Sequence, residues 1–293
     1  MSTARFRYPD QLVTGDWLAA HLADPDLRIF DCTTYLVYAT GDDAPYDVVS
    51  GRADYDAGHI AGSGFLDLQG ELSDRSSPFR FTMPAADRLA EAFGRRGIGD
   101  DTRVILYSRK TMQWATRIWW MLRAIGFDNA AILDGGWDKW QADGRPQSTA
   151  PDDYQPARLT AKPRPELFVD KEEVLAAIDD EGSAIINALA PDLHSGENPR
   201  YGRPGHIPNS VNVPAAALLN PETMELPTPE ATAAAFTAVD VVPEQRALVY
   251  CGGGIAATLD AYLLHQLGHD AIAVYDNSMS EWANDASLPI ETD

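Results

Sequence analysis

The chain has 293 residues, enough for one large domain or two ordinary ones that each bury a core. Its formal net charge is -21 and is unevenly spread: residues 1–150 hold 16 Lys+Arg against 21 Asp+Glu, and residues 151–293 hold 7 against 23. So acidic a surface repels nucleic acid and anionic lipid, which argues against both as partners, and no apolar run is long enough to span a bilayer. The N-terminus lacks the positive-then-apolar design of a signal peptide, so a cytoplasmic location is the expectation. Two cysteines, Cys32 and Cys251, make no disulfide framework, and no Cys/His spacing suggests a metal site.

In chain order, a short β-like segment at 28–32 comes first, followed by Gly58-His59-Ile60 and an apolar strand at 104–107. A polar loop, Ser108-Arg109-Lys110-Thr111-Met112, leads into a helical stretch that ends at Gly126; a strand at 131–134 then runs on to Trp140. Trp114, Trp119 and Trp120 in that helix read as core or interdomain packing. Pro146, Pro151, Pro156, Pro163 and Pro165 forbid regular helix and predict an extended, stiff connection. Beyond it the same order returns: a strand at 184–188, Gly205-His206-Ile207, a strand at 247–250, a glycine-rich loop, a helix ending at Gly268, and a strand at 273–276 running to Trp282. This is a repeat of domain size. Strands alternating with helices predict an α/β fold of two tandem domains, each an open, mainly parallel sheet with helices on both faces. The expected boundaries are 1–145 for the first domain, 146–165 for the linker and 166–293 for the second.

The richest local signal follows the strand at 247–250. Cys251 ends that strand, Gly252, Gly253 and Gly254 come next, and a helical pattern opens after Ile255, near Ala256 and Ala257. A loop at the carboxyl end of a parallel strand faces the crevice where open α/β sheets bind ligands. Glycines let successive amides turn inward as an anion nest, and a helix N-terminus adds partial positive charge. A cysteine there is expected to react as its thiolate, with the amides of residues 252–257 cradling the negative charge. Cys32, at an apparent strand end without a glycine loop, reads as a buried, inert small hydrophobe.

Two rival motifs fail on their own terms. Gly252-x-Gly254-x-x-Ala257 formally fits a dinucleotide fingerprint, but that fold needs further βαβ units downstream, and the equivalent loop at Ser108 has no glycines. A cysteine-dependent phosphatase needs an arginine six residues after the cysteine, where this chain has Ala257. No Gly-Lys-Ser/Thr follows the glycines, which excludes a phosphate-binding P-loop.

The duplicated layout, the paired Gly-His-Ile segments and the Cys-Gly-Gly-Gly-Ile-Ala loop resemble the tandem-domain rhodaneses and 3-mercaptopyruvate sulfurtransferases. Ser73-Asp-Arg-Ser-Ser-Pro78, the helix from Arg117 to Gly126 and Leu133-Asp-Gly-Gly-Trp137 resemble that family's first domain. The resemblance implies a persulfide relay on Cys251, without metal or organic cofactor: a small sulfur donor loads the cysteine, and cyanide, a thiol or a protein takes the sulfur. It also implies a catalytically degenerate first domain, in keeping with Ser108 at the position matching Cys251. Thiosulfate-type loops carry basic residues directly after the cysteine, which Gly252 and Gly253 do not supply, so 3-mercaptopyruvate is the expected donor. Mercaptopyruvate-type loops have a serine where this chain has Gly253. The family's donor-binding arginine is missing before Gly196; either Arg200 or Arg203 replaces it, or both are ordinary surface charges. His59 matches the family's interdomain site histidine, or else caps a turn, as His206 is expected to do. Arg109 and Lys110 read as a solvated pair. A different reading of the same residues is a non-catalytic persulfide carrier serving one protein partner.

Overall fold

The computed structural model describes residues 5–38, 45–150 and 153–293. Pro151 lies outside the described residues. The strands are β1 (Leu12–Val13), β2 (Leu27–Asp31), β3 (Thr34–Tyr38), β4 (Tyr46–Ser50), β5 (His59–Ile60), β6 (Ser63–Phe65), β7 (Arg103–Tyr107), β8 (Ala130–Leu133) and β9 (Gln147–Ser148), then β10 (Phe168–Val169), β11 (Ser183–Asn187), β12 (Val211–Asn212), β13 (Arg246–Tyr250) and β14 (Ile272–Tyr275). They form two five-stranded sheets, ordered β1-β8-β7-β2-β6 and β10-β14-β13-β11-β12, parallel throughout. Strand for strand, the second order repeats the first. Short apolar strands such as Arg246-Ala-Leu-Val-Tyr are buried on both faces, which is what a parallel sheet covered by helices on each side requires.

The duplication reaches individual hydrogen bonds. Tyr107 Oη lies 2.9 Å from Ser63 Oγ and accepts from Ile60 N; Tyr250 Oη lies 2.8 Å from Ser210 Oγ and accepts from Ile207 N. Each Gly-His-Ile segment thus pins the end of its central strand through one buried phenol. The first half adds a β3–β4 antiparallel hairpin that the second lacks among the described residues.

Four helices matter to the site: α1 (Gln113–Ala124), α2 (Gly136–Ala142), α3 (Ala257–Leu267) and α4 (Ser278–Trp282). Helices α1 and α3 follow the central strands and pack on one another across the domain boundary. Thr116 and Thr258, equivalent in the repeat, meet there with hydroxyls 2.9 Å apart. Trp119 stands edge-on to Tyr262 at 4.9 Å between ring centroids. Ten of the twelve residues of α1 are buried, Trp114, Trp119 and Trp120 among them, because its own sheet covers one side and α3 the other. One continuous buried cluster therefore runs through both halves. The described part of the proline-rich connection is extended and tied to the first domain: Ala157 N donates to Gly94 O, Lys162 N to Ile125 O and Arg164 N to Ala124 O.

Candidate active site

Cys251 follows the last residue of β13 at the carboxyl edge of its sheet, and is buried at 2 % exposure. Each of the three glycines after it has a separate steric reason. A Cβ on Gly252 would lie 2.1 Å from the Tyr201 hydroxyl, and one on Gly253 would lie 3.0 Å from the Tyr46 hydroxyl. Gly254 has φ +70°, and a Cβ there would fall 2.3 Å from Asp276 O. The backbone can therefore coil close beneath the thiol only without side chains.

The loop is held from below by α4. Ser278, at φ +49°, accepts hydrogen bonds from Cys251 N at 3.0 Å and Gly254 N at 3.2 Å, and donates to Tyr275 O at 2.6 Å. Ser280 N and Oγ both donate to Gly252 O, at 2.8 and 2.7 Å. Of the expected cradle, the Gly254 amide is therefore engaged by Ser278. The amides of Gly252, Gly253, Ile255, Ala256 and Ala257 have no oxygen or nitrogen acceptor among the described residues, and α3 begins at Ala257. They form a nest of unengaged donors at a helix N-terminus, a place that favours an anion.

The first domain supports this loop from the side. Arg117 of α1, fully buried, donates to Gly254 O at 3.1 Å and to Phe81 O at 2.6 Å, and pairs with Asp276 at 2.7 Å. Asp276 Oδ2 accepts from Met83 N at 2.6 Å, and Thr82 Oγ1 donates to Asn277 Oδ1. Residues 81–83 of the first domain are thereby clamped onto the end of β14 in the second.

The other residues singled out in the sequence divide. Arg200 stands at the rim, its guanidinium 4.1 Å over the Tyr38 ring, with no ion pair or hydrogen bond among the described residues. Tyr38 leads inward to Tyr46 and Tyr46 to Tyr201, at 6.1 and 6.4 Å between centroids. Arg203 is spent elsewhere, donating to the carbonyls of Trp282, Ala283, Asp285 and Leu288, so it is not free to bind a donor. The structure does not bring His59 to the loop. It is fully buried, its two ring nitrogens lie 2.7 and 2.9 Å from the carbonyls of Tyr55 and Ala150, and its ring stacks on Tyr55. His206 likewise contacts the His194 carbonyl and bridges Glu291. Lys110 is exposed, but Arg109 corrects the expectation of a solvated pair: it is buried, drawn in by an ion pair to Asp31 at 3.2 Å. Cys32 is fully buried, and burial, with the Asp31 charge beside it, pushes its thiol well above the ordinary range.

His194, His206 and Asp293 each place one ligand atom within 4.8 Å of the others. Asn187 decides what they can do. Its Oδ1 accepts from Leu189 N, so its amide nitrogen faces His194 Nδ1 at 3.0 Å and donates to it. His194 then carries its proton on Nε2, and its ring stacks on His206 at 3.9 Å. His194 Nδ1 is therefore already engaged as an acceptor of the Asn187 amide.

Ser278, Arg117, Tyr46 and Tyr201 are the site residues that sequence reasoning missed. Only Ser278 left a trace, as a small residue two positions after the Asp276 that closes β14.

A duplicated parallel α/β fold with a thiol in a strand-to-helix amide nest defines a class, and the rhodanese-like domain family matches residues 14–143 and 170–285. The chain belongs to that family. It is 32 % identical over 282 residues to the 3-mercaptopyruvate sulfurtransferase of Escherichia coli K12, covering 95 % of this chain and 97 % of the relative. It is 30 % identical over 281 residues to the thiosulfate sulfurtransferase of Rattus norvegicus, covering 92 % and 91 %. The crystal structure of SseA from Escherichia coli, described for the rhodanese fold and mechanism of 3-mercaptopyruvate sulfotransferases, superposes with a TM-score of 0.78 at 30 % identity, over 92 % of this chain and 98 % of that one. The protein is a sulfurtransferase enzyme, which moves sulfur from a donor to an acceptor. No helix among the described residues is long and apolar enough to cross a membrane.

Proposed function

We propose that the chain takes sulfur from 3-mercaptopyruvate onto Cys251 and passes it to a thiophilic acceptor: cyanide, a thiol or a protein cysteine. The observation that carries this reading is the thiol of Cys251 beside five unengaged amides at the start of α3. The thiolate attacks the donor sulfur; the donor's C–S bond breaks and its electron pair leaves with carbon as the enolate of pyruvate. The loop amides then hold the outer sulfur of Cys–S–S⁻, whose charge needs donors rather than a counter-ion. The acceptor attacks that outer sulfur, and the S–S electron pair returns to Cys251.

The donor assignment rests on absence of charge at the loop. Among the described residues no cationic side chain donates to residues 252 or 253, and Arg117 is committed to Gly254 O and Asp276. Arg200 at the rim is the group that supports binding of a donor carboxylate. In this reading residues 1–145 are a catalytically degenerate support, 146–165 the connection and 166–293 the catalytic half. Two buried cysteines without a disulfide support a reducing, cytoplasmic setting.

Intact-mass spectrometry after donor treatment tests the assignment. One sulfur atom should add to the wild-type protein and none to Cys251→Ser; a serine variant that still loads and turns over refutes it. Steady-state kcat/KM with cyanide as acceptor should favour 3-mercaptopyruvate over thiosulfate, and the opposite preference refutes the donor.

A further inference from the structure

Moving sulfur from a thiol-bearing carbon requires a proton to reach that carbon, and the loop supplies no side chain to bring one. The hydroxyls packed against it from α3 and α4 are already donating. Ser278 gives its proton to Tyr275 O, Ser280 to Gly252 O and Thr258 to Ile255 O. Two hydroxyls remain. Tyr46 comes from the start of β4, in the hairpin peculiar to the first domain, and Tyr201 from the connection between β11 and β12 in the second. Their rings meet edge to face, 6.4 Å apart at 75°. Their oxygens stand where side chains of residues 253 and 252 would begin, 3.0 and 2.1 Å from those Cβ positions.

Both rings are buried, at 3 % and 9 % exposure; the Tyr46 hydroxyl is hydrogen-bonded to Ser280, whose own proton goes to Gly252 O, and the Tyr201 hydroxyl donates to no acceptor among the described residues. Burial and then the charge of Cys251 push the Tyr46 phenol up to about 12 and the Tyr201 phenol well above its ordinary value. Each therefore keeps its proton at neutral pH and offers it as a donor.

We propose that Tyr46 and Tyr201, one from each domain, are the hydroxyl donors of sulfur loading: both hydrogen-bond the departing enolate, and Tyr46 delivers the proton that makes it pyruvate. This rests on the donor reading above. As the bond between Cys251 Sγ and the donor sulfur forms, the C–S pair passes to the carbon and spreads onto the carbonyl oxygen, where two phenols stabilise it. Tyr46 protonates the carbon. Its phenolate recovers a proton from the thiol hydrogen that entered on the donor sulfur, leaving Cys–S–S⁻, so no proton is gained or lost overall. The glycines at 252 and 253 make room for these phenols, and a bulkier loop displaces them.

Rapid-quench mass spectrometry of sulfur loading separates this role from packing. Inorganic polysulfide serves as the comparison donor, because its leaving group is a sulfur anion that needs no proton on carbon. Tyr46→Phe and Tyr201→Phe should slow loading from 3-mercaptopyruvate by about 10- to 100-fold, while loading from polysulfide and discharge to cyanide stay within about twofold. Tyr46→Phe/Gly253→Ser, which returns a hydroxyl to the vacated space, should recover part of the loss. Wild-type loading rates in both phenylalanine variants, or equal slowing with both donors, overturns the proposal. A wild-type enzyme that takes sulfur from polysulfide but not from 3-mercaptopyruvate overturns the donor reading first, a result visible before any variant is made.

Discussion

The loops after β7 and β13 stand on equivalent scaffolds and do opposite things with their interiors. Asp31 and Asn187 hold the same position beside their central strands, each fully buried and paired across from Tyr107 or Tyr250. In the first domain Asp31 draws Arg109 inward, and that side chain also donates to Gly58 O and stacks 4.1 Å over Trp137. A buried salt bridge thus stands beside the loop after β7. In the second domain Asn187 is neutral, and among the described residues no arginine pairs with it and five loop amides stay unengaged. What differs next is support. Asp134 and Asp276 each accept a backbone amide from the other domain, Leu226 N at 2.9 Å and Met83 N at 2.6 Å. Only Asp276 also has an arginine, because Arg117 in α1 corresponds to Leu259 in α3. The first domain thus supplies the residue that braces the second domain's loop.

The sharpest way to break this comparison is to move the nucleophile. Ser108→Cys in a Cys251→Ser background should load no sulfur, because the buried Arg109–Asp31 pair stands beside that loop and the loop lacks the glycines. Sulfur addition measured by intact mass on that double variant would show that the two loops are still interchangeable. Removing the brace comes next. Arg117→Leu copies the second domain's residue and leaves Asp276 partly buried without its partner, which should cost about 3 kcal/mol in urea denaturation. It should also slow loading of Cys251, since Gly254 O loses its donor; unchanged loading would make Arg117 purely a structural tie. Gly254→Ala should cost about 2 kcal/mol, combining a positive φ with a Cβ 2.3 Å from Asp276 O. Ser278→Ala is milder, about 1 to 2 kcal/mol for two amides left with a lost acceptor, and a stability loss without slower loading would confine Ser278 to the scaffold.

How much of this the sequence disclosed follows the range of the interactions. The strands, their parallel arrangement and the repeat were legible because they depend on local apolar patterning and on matching the two halves. The position of the Cys251 loop at a strand's carboxyl end was legible for the same reason, and its glycines marked it. Arg117 was not: its partner carbonyl lies 137 residues away, and a helical arginine looks the same whether it meets water or the far domain. Tyr46 and Tyr201 carry no local signature either, since what they do depends on two glycines approached from different domains. Arg109 misled because a loop arginine beside a lysine resembles solvated charge until Asp31 is placed behind it.

A change of pH isolates the unsupported twin. Without an arginine, burial pushes the Asp134 carboxyl up to about 6, the Leu226 amide only partly offsetting it. The folded state therefore holds this proton more tightly than the unfolded chain does. That preference contributes stability in full below about pH 4, the ordinary carboxylate range, and the contribution is lost as pH rises through about 6. A shift of roughly two units amounts to about 2 kcal/mol after allowance for partial solvent access. Asp134→Asn keeps an oxygen for Leu226 N and removes the titration, so it should flatten the stability profile between pH 4 and 7 and be the more stable protein at pH 7. Urea denaturation at pH 4.5 and 7 reads this directly. Asp276→Asn, by contrast, should destabilise at neutral pH, because there the carboxylate answers Arg117; equal behaviour of the two asparagine variants would mean that the arginine does not distinguish the domains.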